Sequence, residues 1–183
     1  MSGHNKWSKI KRQKGATDAA KSKIFGKFAK LIATASREAK GDVTSPTLRA
    51  AIEKAREFNM PSDNIERAIK KGVGADAEAF DSITYEAYGP GGSALVIEAL
   101  TTNRNKAAQE VKFILSQHGF SLAAPGSATW AFRKGTSDPA DGGASWIPNM
   151  TVPLSPEDEE VLEKLINDLE ENDEIQSVYT NAE

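Results

Sequence analysis

The 183-residue chain has no cysteine. That excludes disulfides and thiolate metal sites. Histidine is nearly as scarce, with His4 and His118 alone. Neither sits beside an acid and a nucleophile at a recognisable spacing, so a catalytic triad has nothing to stand on. Two separated histidines without cysteine do not make a zinc site, and the acids at 157–174 lack the spacing of a calcium-binding loop. Long apolar runs are absent too. The longest stretch, Ala94–Leu100, is interrupted by Glu98 and falls far short of the ~18 apolar residues a membrane span needs. The start, Met1-Ser2-Gly3-His4-Asn5-Lys6-Trp7, has no apolar core of a secretory signal. These features predict a cytoplasmic protein with no catalytic residues, no metal, no cofactor and no membrane partner.

Charge, by contrast, is plentiful and unevenly placed. Residues 1–75 carry 17 Lys/Arg against 7 Asp/Glu, and residues 76–183 carry 6 against 19. The overall charge of −3 therefore hides a basic first third and an acidic remainder. The densest part, residues 1–40, holds 11 basic and 2 acidic groups. With so few acids to form i,i+4 pairs, self-repulsion in this block is uncompensated unless a partner supplies anions. Phosphate is the common partner of such a block.

Periodicity divides the chain further. Residues 1–16 read as a basic extended arm. Residues 17–75 read as a three-helix domain. In its first helix Ile24, Phe28, Leu31 and Ala35 share one face, with Phe25 and Ile32 beside it, and Gly41 ends it. Ser45-Pro46 is an N-cap with proline in the first turn. It opens a second helix with Leu48, Ala51, Ile52 and Ala55 inward, stopped by Met60-Pro61. A third helix is capped by Ser62, turns Ile65, Ala68 and Ile69 inward, and ends at Gly72.

Residues 76–183 read as an α/β domain. Strands are expected at Ile83–Tyr88, Ser93–Leu100, Ala128–Phe132, Trp146–Val152 and Ile175–Tyr179. Helices are expected at Lys106–Gln117, with Ala107, Val111, Ile114 and Leu115 inward, and after the Ser155-Pro156-Glu157-Asp158 capping box, the latter burying Val161, Leu162, Leu165, Ile166 and Leu169. From Ser93 onward this is the ferredoxin-like βαββαβ order, preceded by an extra hairpin strand. The expected class is thus α+β, with one antiparallel-dominated sheet carrying two helices on one face. A short polar loop occupies 135–145.

Within this frame the candidate nucleic-acid contacts are Lys6, Lys9, Lys11, Arg12 and Lys14 on the arm and Lys21, Lys23, Lys27 and Lys30 on the first helix. Trp7 either stacks on a base or packs against the helices. Tyr88-Gly89-Pro90-Gly91-Gly92 opens a strand rather than a helix. It therefore reads as a tight hairpin with glycines at positive φ and not as a nucleotide-binding loop. Asn103-Arg104-Asn105-Lys106 reads as a helix cap, with Arg104 and Lys106 as secondary phosphate contacts.

The segment Ser2-Gly3-His4-Asn5-Lys6-Trp7, followed by Ile10-Lys11, Lys14, Asp18 and Lys23-Ile24-Phe25-Gly26-Lys27, resembles the opening signature of the YebC/PmpR family. That family includes the mitochondrial translational activator of cytochrome c oxidase. Leu48-Arg49-Ala50-Ala51, Asn59-Met60-Pro61, Ile65-Glu66-Arg67-Ala68-Ile69, Tyr85-Glu86, Tyr88–Gly92, Asn103-Arg104-Asn105, Ile147-Pro148 and Val178-Tyr179 extend the resemblance over nearly the whole chain. The resemblance implies a non-enzymatic regulator of gene expression, customarily described as a DNA-binding transcriptional regulator. For some members it implies instead a ribosome-associated translation factor that relieves stalled elongation. The implied partner is DNA or ribosomal RNA held mainly through phosphate. The family has a third domain inserted into the second, and here the loop at 135–145 stands where it would enter. Neither the target sequence nor the oligomeric state follows from these residues.

Overall fold

A computed structural model describes residues 18–135 and 145–183. The arm and residues 136–144 lie outside the described residues. By their internal packing the described residues form two compact units, one running to Phe80 and the other comprising Asp81–Gly135 with Trp146–Glu183.

The first unit contains α1 (Asp18–Glu38), α2 (Pro46–Glu57) and α3 (Ser62–Val73). The ends of α1 and α2 follow from backbone chemistry. Lys40 and Gly41 take positive φ beyond α1, and the Gly41 N–H donates to Ser36 O at 2.8 Å. Asn59 takes positive φ beyond α2, and the Met60 N–H donates to Ala55 O at 3.0 Å. Both closures satisfy carbonyls that the helix itself leaves open. The core collects Phe28, Ile32, Ala35, Leu48, Ala51, Ile52, Ala55, Met60, Ile65 and Ala68. Ile32 is fully buried, whereas Ile24 and Leu31 are only partly so, so the inward face of α1 is centred nearer Ile32 than the spacing suggests. Gly72 does not end α3 but lies within it, and Gly74 takes the C-cap position.

The second unit contains β1 (Asp81–Tyr88), β2 (Ala94–Thr101), α4 (Arg104–Gln117), β3 (Phe132–Gly135), β4 (Ser145–Pro148), α5 (Pro156–Glu171) and β5 (Ile175–Thr180). The class and the order of elements are those expected. The strands, however, do not form one sheet. β1, β2 and β5 make an antiparallel sheet in the order β1-β2-β5, and β3-β4 makes a separate two-stranded one. The reason lies in β2. Its pairing with β1 runs unbroken from Tyr88↔Ala94 to Asp81↔Thr101, and β5 takes its other edge from Leu95↔Thr180 onward. Both edges of β2 are then used, so β3 does not pair with it and pairs with β4 instead.

The alternation of β2 gives each sheet face its own cover. Leu95 and Ile97 pack with Val111 and Leu115 of α4 and with Leu162, Leu165, Ile166 and Leu169 of α5. Ala94 and Val96 pack with Ala128, Ala131, Phe132 and Trp146. Glu98, which interrupts the apolar run, accepts a hydrogen bond from Trp146 Nε1 at 2.9 Å. Val161 is 37% exposed and is not part of the core. The segment expected as a strand at Ala128–Phe132 is a 3₁₀ turn, Thr129–Ala131, leading into β3. The strand expected through Val152 stops at Pro148, and Val152 makes only a parallel bridge to Ala182.

Candidate nucleic-acid interface

α1 carries the described part of the expected site. At 3.6 residues per turn, Lys23, Lys27 and Lys30 follow one another at i, i+4 and i+7 along one flank, whereas Lys21 projects from a different side. Hydrophobic burial of Phe28 and Ile32 fixes the rotation of the helix, and with it the direction of this row. Lys6, Trp7, Lys9, Lys11, Arg12 and Lys14 lie outside the described residues.

Packing of α3 on α1 adds cations that the sequence reading did not single out. An open groove of about 500 Å³ runs along this helix pair, lined by Lys30 of α1 and by Arg67 and Lys71 of α3. Its apolar surface comes from Phe25, Ala29, Met60 and Phe80. The Lys30 ammonium stands 5.8 Å from the centre of the Phe80 ring, a cation–π distance. Arg67 Nε donates to Asp63 O at 3.3 Å, and Arg67 Nη2 donates to Asn64 Oδ1. Lys71 Nζ lies 3.3 Å from Glu78 Oε2. The sequence signal was present in the i,i+4 spacing of Arg67 and Lys71. What it did not show is that this side of α3 faces Lys30.

In the second unit the secondary candidates are tied to carboxylates. Arg104 Nε pairs with Asp81 Oδ2 at 2.8 Å. This hydrogen bond holds the Asp81 carboxyl below its ordinary range and raises the guanidinium further. Lys106 Nζ lies 3.7 Å from Glu110 Oε1 and 3.6 Å from Glu174 Oε1. Asn103 is the cap of α4, its side chain accepting from the Lys106 backbone N–H at 3.0 Å. The Tyr88–Gly92 segment forms the expected tight turn, with Gly91 at φ 62° and Gly92 at φ 76°.

His118 has a partner that spacing could not reveal. Its Nε2 lies 2.7 Å from Asp168 Oδ2 across α4 and α5. Among the described residues no group of three or more His, Cys, Asp or Glu side chains is placed to hold a metal ion. Among them, too, no helix is long and apolar enough to cross a membrane.

A helical unit with a lysine row, followed by an acidic α/β unit, is the class these features define. Comparison with known proteins names the family. The TACO1/YebC N-terminal domain matches residues 5–75, and the TACO1/YebC second and third domain matches residues 80–137 and 133–182. The chain belongs to the TACO1/YebC family. It is 40% identical over 238 residues to a "Probable transcriptional regulatory protein" of Pseudothermotoga lettingae, covering 100% of this chain and 94% of that one. It is 38% identical over 239 residues to one of the same description from Thermoanaerobacter pseudethanolicus, covering 100% and 97%. The crystal structure of a conserved hypothetical protein from Aquifex aeolicus superimposes with a TM-score of 0.80 at 30% identity, covering 91% of each chain.

Proposed function

We propose that the protein is a non-enzymatic, cytoplasmic nucleic-acid-binding regulator of gene expression that grips phosphate with the arm at 1–16 and with α1. The lysine row Lys23, Lys27 and Lys30 carries this reading. It sets three cations along one flank of a helix whose other side is fixed in a core, in the basic part of an otherwise acidic chain. On the arm, Lys6, Trp7, Lys9, Lys11, Arg12 and Lys14 complete the grip, with Lys21 beside them. Relatives described as probable transcriptional regulators support DNA as the target.

The lysine row suits a second target, ribosomal RNA, equally well. The row consists of lysines, which act on phosphate as point charges. Base edges are read by the paired hydrogen bonds of Arg, Asn or Gln. A structured RNA recognised by phosphate and shape suits such a row as well as a DNA operator does. In this reading the protein acts in translation on the ribosome.

In this reading residues 135–145 stand at the point where the family's third domain would enter. The match to the second and third domain breaks and resumes at 133–137, and the alignments with relatives extend over more positions than the 183 residues present here. Insertions at surface loops leave the host unit intact, so the two units keep their own folds without it.

A polarisation titration against duplex DNA and a ribosomal RNA stem tests the grip. Affinity should fall with salt on a log–log slope of roughly −0.7 to −0.9 per phosphate contact. Lys11→Glu with Arg12→Glu should weaken all sequences alike, and unchanged binding would remove the arm from the site. Crosslinking in cells, with sequencing of the attached DNA and RNA together, separates the two targets.

A further inference from the structure

The groove between α1 and α3 contains a glycine without a structural reason to be one. Gly26 lies inside α1, where glycine costs about 1 kcal/mol relative to alanine. Glycine in such a place answers to a positive φ, to close packing or to the close approach of a ligand. Gly26 is not among the residues at positive φ, and a Cβ built on it meets no atom of the described residues within 4 Å. Close approach is what remains. Gly26 is exposed and lines the groove beside Phe25, with Phe80 also on the lining.

The rim supplies the complementary charge. Lys30, Arg67 and Lys71 line the same groove, and none of the described lining residues is acidic, although Lys71 also pairs with Glu78 Oε2 outside the lining at 3.3 Å. Arg67 is steadied within α3 by Asp63 O and Asn64 Oδ1, which leaves further guanidinium N–H donors for an anion. A flat apolar floor with a cationic rim has the chemistry of a nucleobase followed by its own phosphate. The volume of about 500 Å³ falls in the range of roughly 300–1,000 Å³ typical of small-ligand sites.

We infer that this groove takes one unstacked nucleobase, laid over Gly26 against Phe25 and Phe80, with the adjoining phosphate on Lys30, Arg67 and Lys71. The inference rests on the nucleic-acid reading above and deepens it. A grip on phosphate alone accepts a duplex and, through its higher charge density, favours it, whereas the groove takes a base out of its duplex.

The test uses the full chain and polarisation titrations of labelled 12-nucleotide single strands, RNA and DNA separately, and of the matching duplex. Gly26→Leu fills the floor from an open position and replaces a poor helix former with a good one, so the fold is kept. Removing one stacked base is expected to cost about 10-fold in affinity. Gly26→Leu should therefore weaken single strands about 10-fold, leave the duplex unchanged and not lower the melting temperature. Adenosine monophosphate should compete with a single strand on the wild type and not on the variant; competition equal on both would overturn the site. Preference of the wild type for RNA or for DNA strands identifies the source of the base. Single-strand binding unchanged in Gly26→Leu, or an equal loss on duplex, overturns the groove while the phosphate grip stands. A wild type that binds neither strand nor duplex overturns both readings together.

Discussion

A Cβ on Gly72 of α3 would overlap the carbonyl oxygen of Ala33 in α1 and come within 2.8 Å of Ser36 Cβ. The two helices meet at this point, and the contact is closed by a hydrogen bond from Ser36 Oγ to Ile69 O at 2.8 Å. Gly72→Ala should force them apart and destabilise the helical unit by about 1–3 kcal/mol, as overpacking does. Thermal melting followed by circular dichroism measures it, and an unchanged midpoint would contradict the close approach.

The other α1–α3 glycine should respond with the opposite sign. Gly26→Ala adds a methyl group where nothing stands within 4 Å, and it removes a helix-interior glycine. The expected gain is about 0.5–1 kcal/mol, read in the same melts.

Glu86 should make the second unit acid-sensitive. Its carboxylate is buried and accepts the backbone N–H groups of Gly126, Ala128 and Thr129 at 2.7, 2.7 and 2.8 Å. Burial pushes its pKa up, the three N–H donors pull it down, and the donors win, leaving it below the ordinary glutamate value of 4.5. The unfolded chain therefore binds the proton more readily than the folded one. The stabilisation is complete above about pH 4.5 and is lost as pH falls through the lower folded value. Glu86→Gln should cost about 1–3 kcal/mol at pH 7, and the gap from wild type should narrow below pH 4.5. Urea denaturation at pH 7 and at acid pH decides it; a constant gap would contradict a charged Glu86.

Asn181 should hold the chain end onto β2. Its side-chain Oδ1 accepts from the Ala94 N–H at 2.7 Å, and its own N–H donates to Ala94 O at 3.3 Å. The residue is 3% exposed. Asn181→Leu leaves a buried N–H without that acceptor and should cost about 1–3 kcal/mol. The urea midpoint should fall with the slope of the transition unchanged.

The lysine row should show in the salt dependence of binding. Changing Lys23, Lys27 and Lys30 together to Gln should make the log–log slope shallower by about 2, at roughly 0.7–0.9 per lost contact. Arg104→Gln should leave the slope nearly unchanged, because the Arg104 guanidinium is engaged by Asp81. Polarisation titrations from about 75 to about 300 mM salt, roughly twofold either side of physiological strength, provide the slopes.

Local chemistry was legible at some helix ends and not at others: the Ser45 side chain makes no cap hydrogen bond to α2, and Pro61 rather than Ser62 takes the cap position of α3. Ser155 does cap α5, its Oγ accepting from the Asp158 N–H at 3.1 Å, and Pro46 does open α2. The apolar spacing of α4 and α5 located Val111, Leu115, Leu165 and Leu169 correctly because a helix face depends only on residues three and four apart. Spacing failed where distant segments compete. Ala128–Phe132 has the composition of a strand, yet Glu86, some forty residues earlier, draws the N–H groups of Ala128 and Thr129 and bends the segment into a turn. His118 shows the same limit, since Asp168 stands on another helix.

Sequence alone determined the division of charge, the order of the described helices and strands, the Asn103 and Ser155 caps, the tight turn before β2, and the family, because each is written in residues close together in the chain. Tertiary structure decided which strands share an edge of β2, which N–H groups Glu86 holds, and that Arg67 and Lys71 join Lys30 around one groove. Those outcomes depend on competition among partners far apart in sequence, and burial and hydrogen-bond satisfaction settle that competition only when the chain is folded.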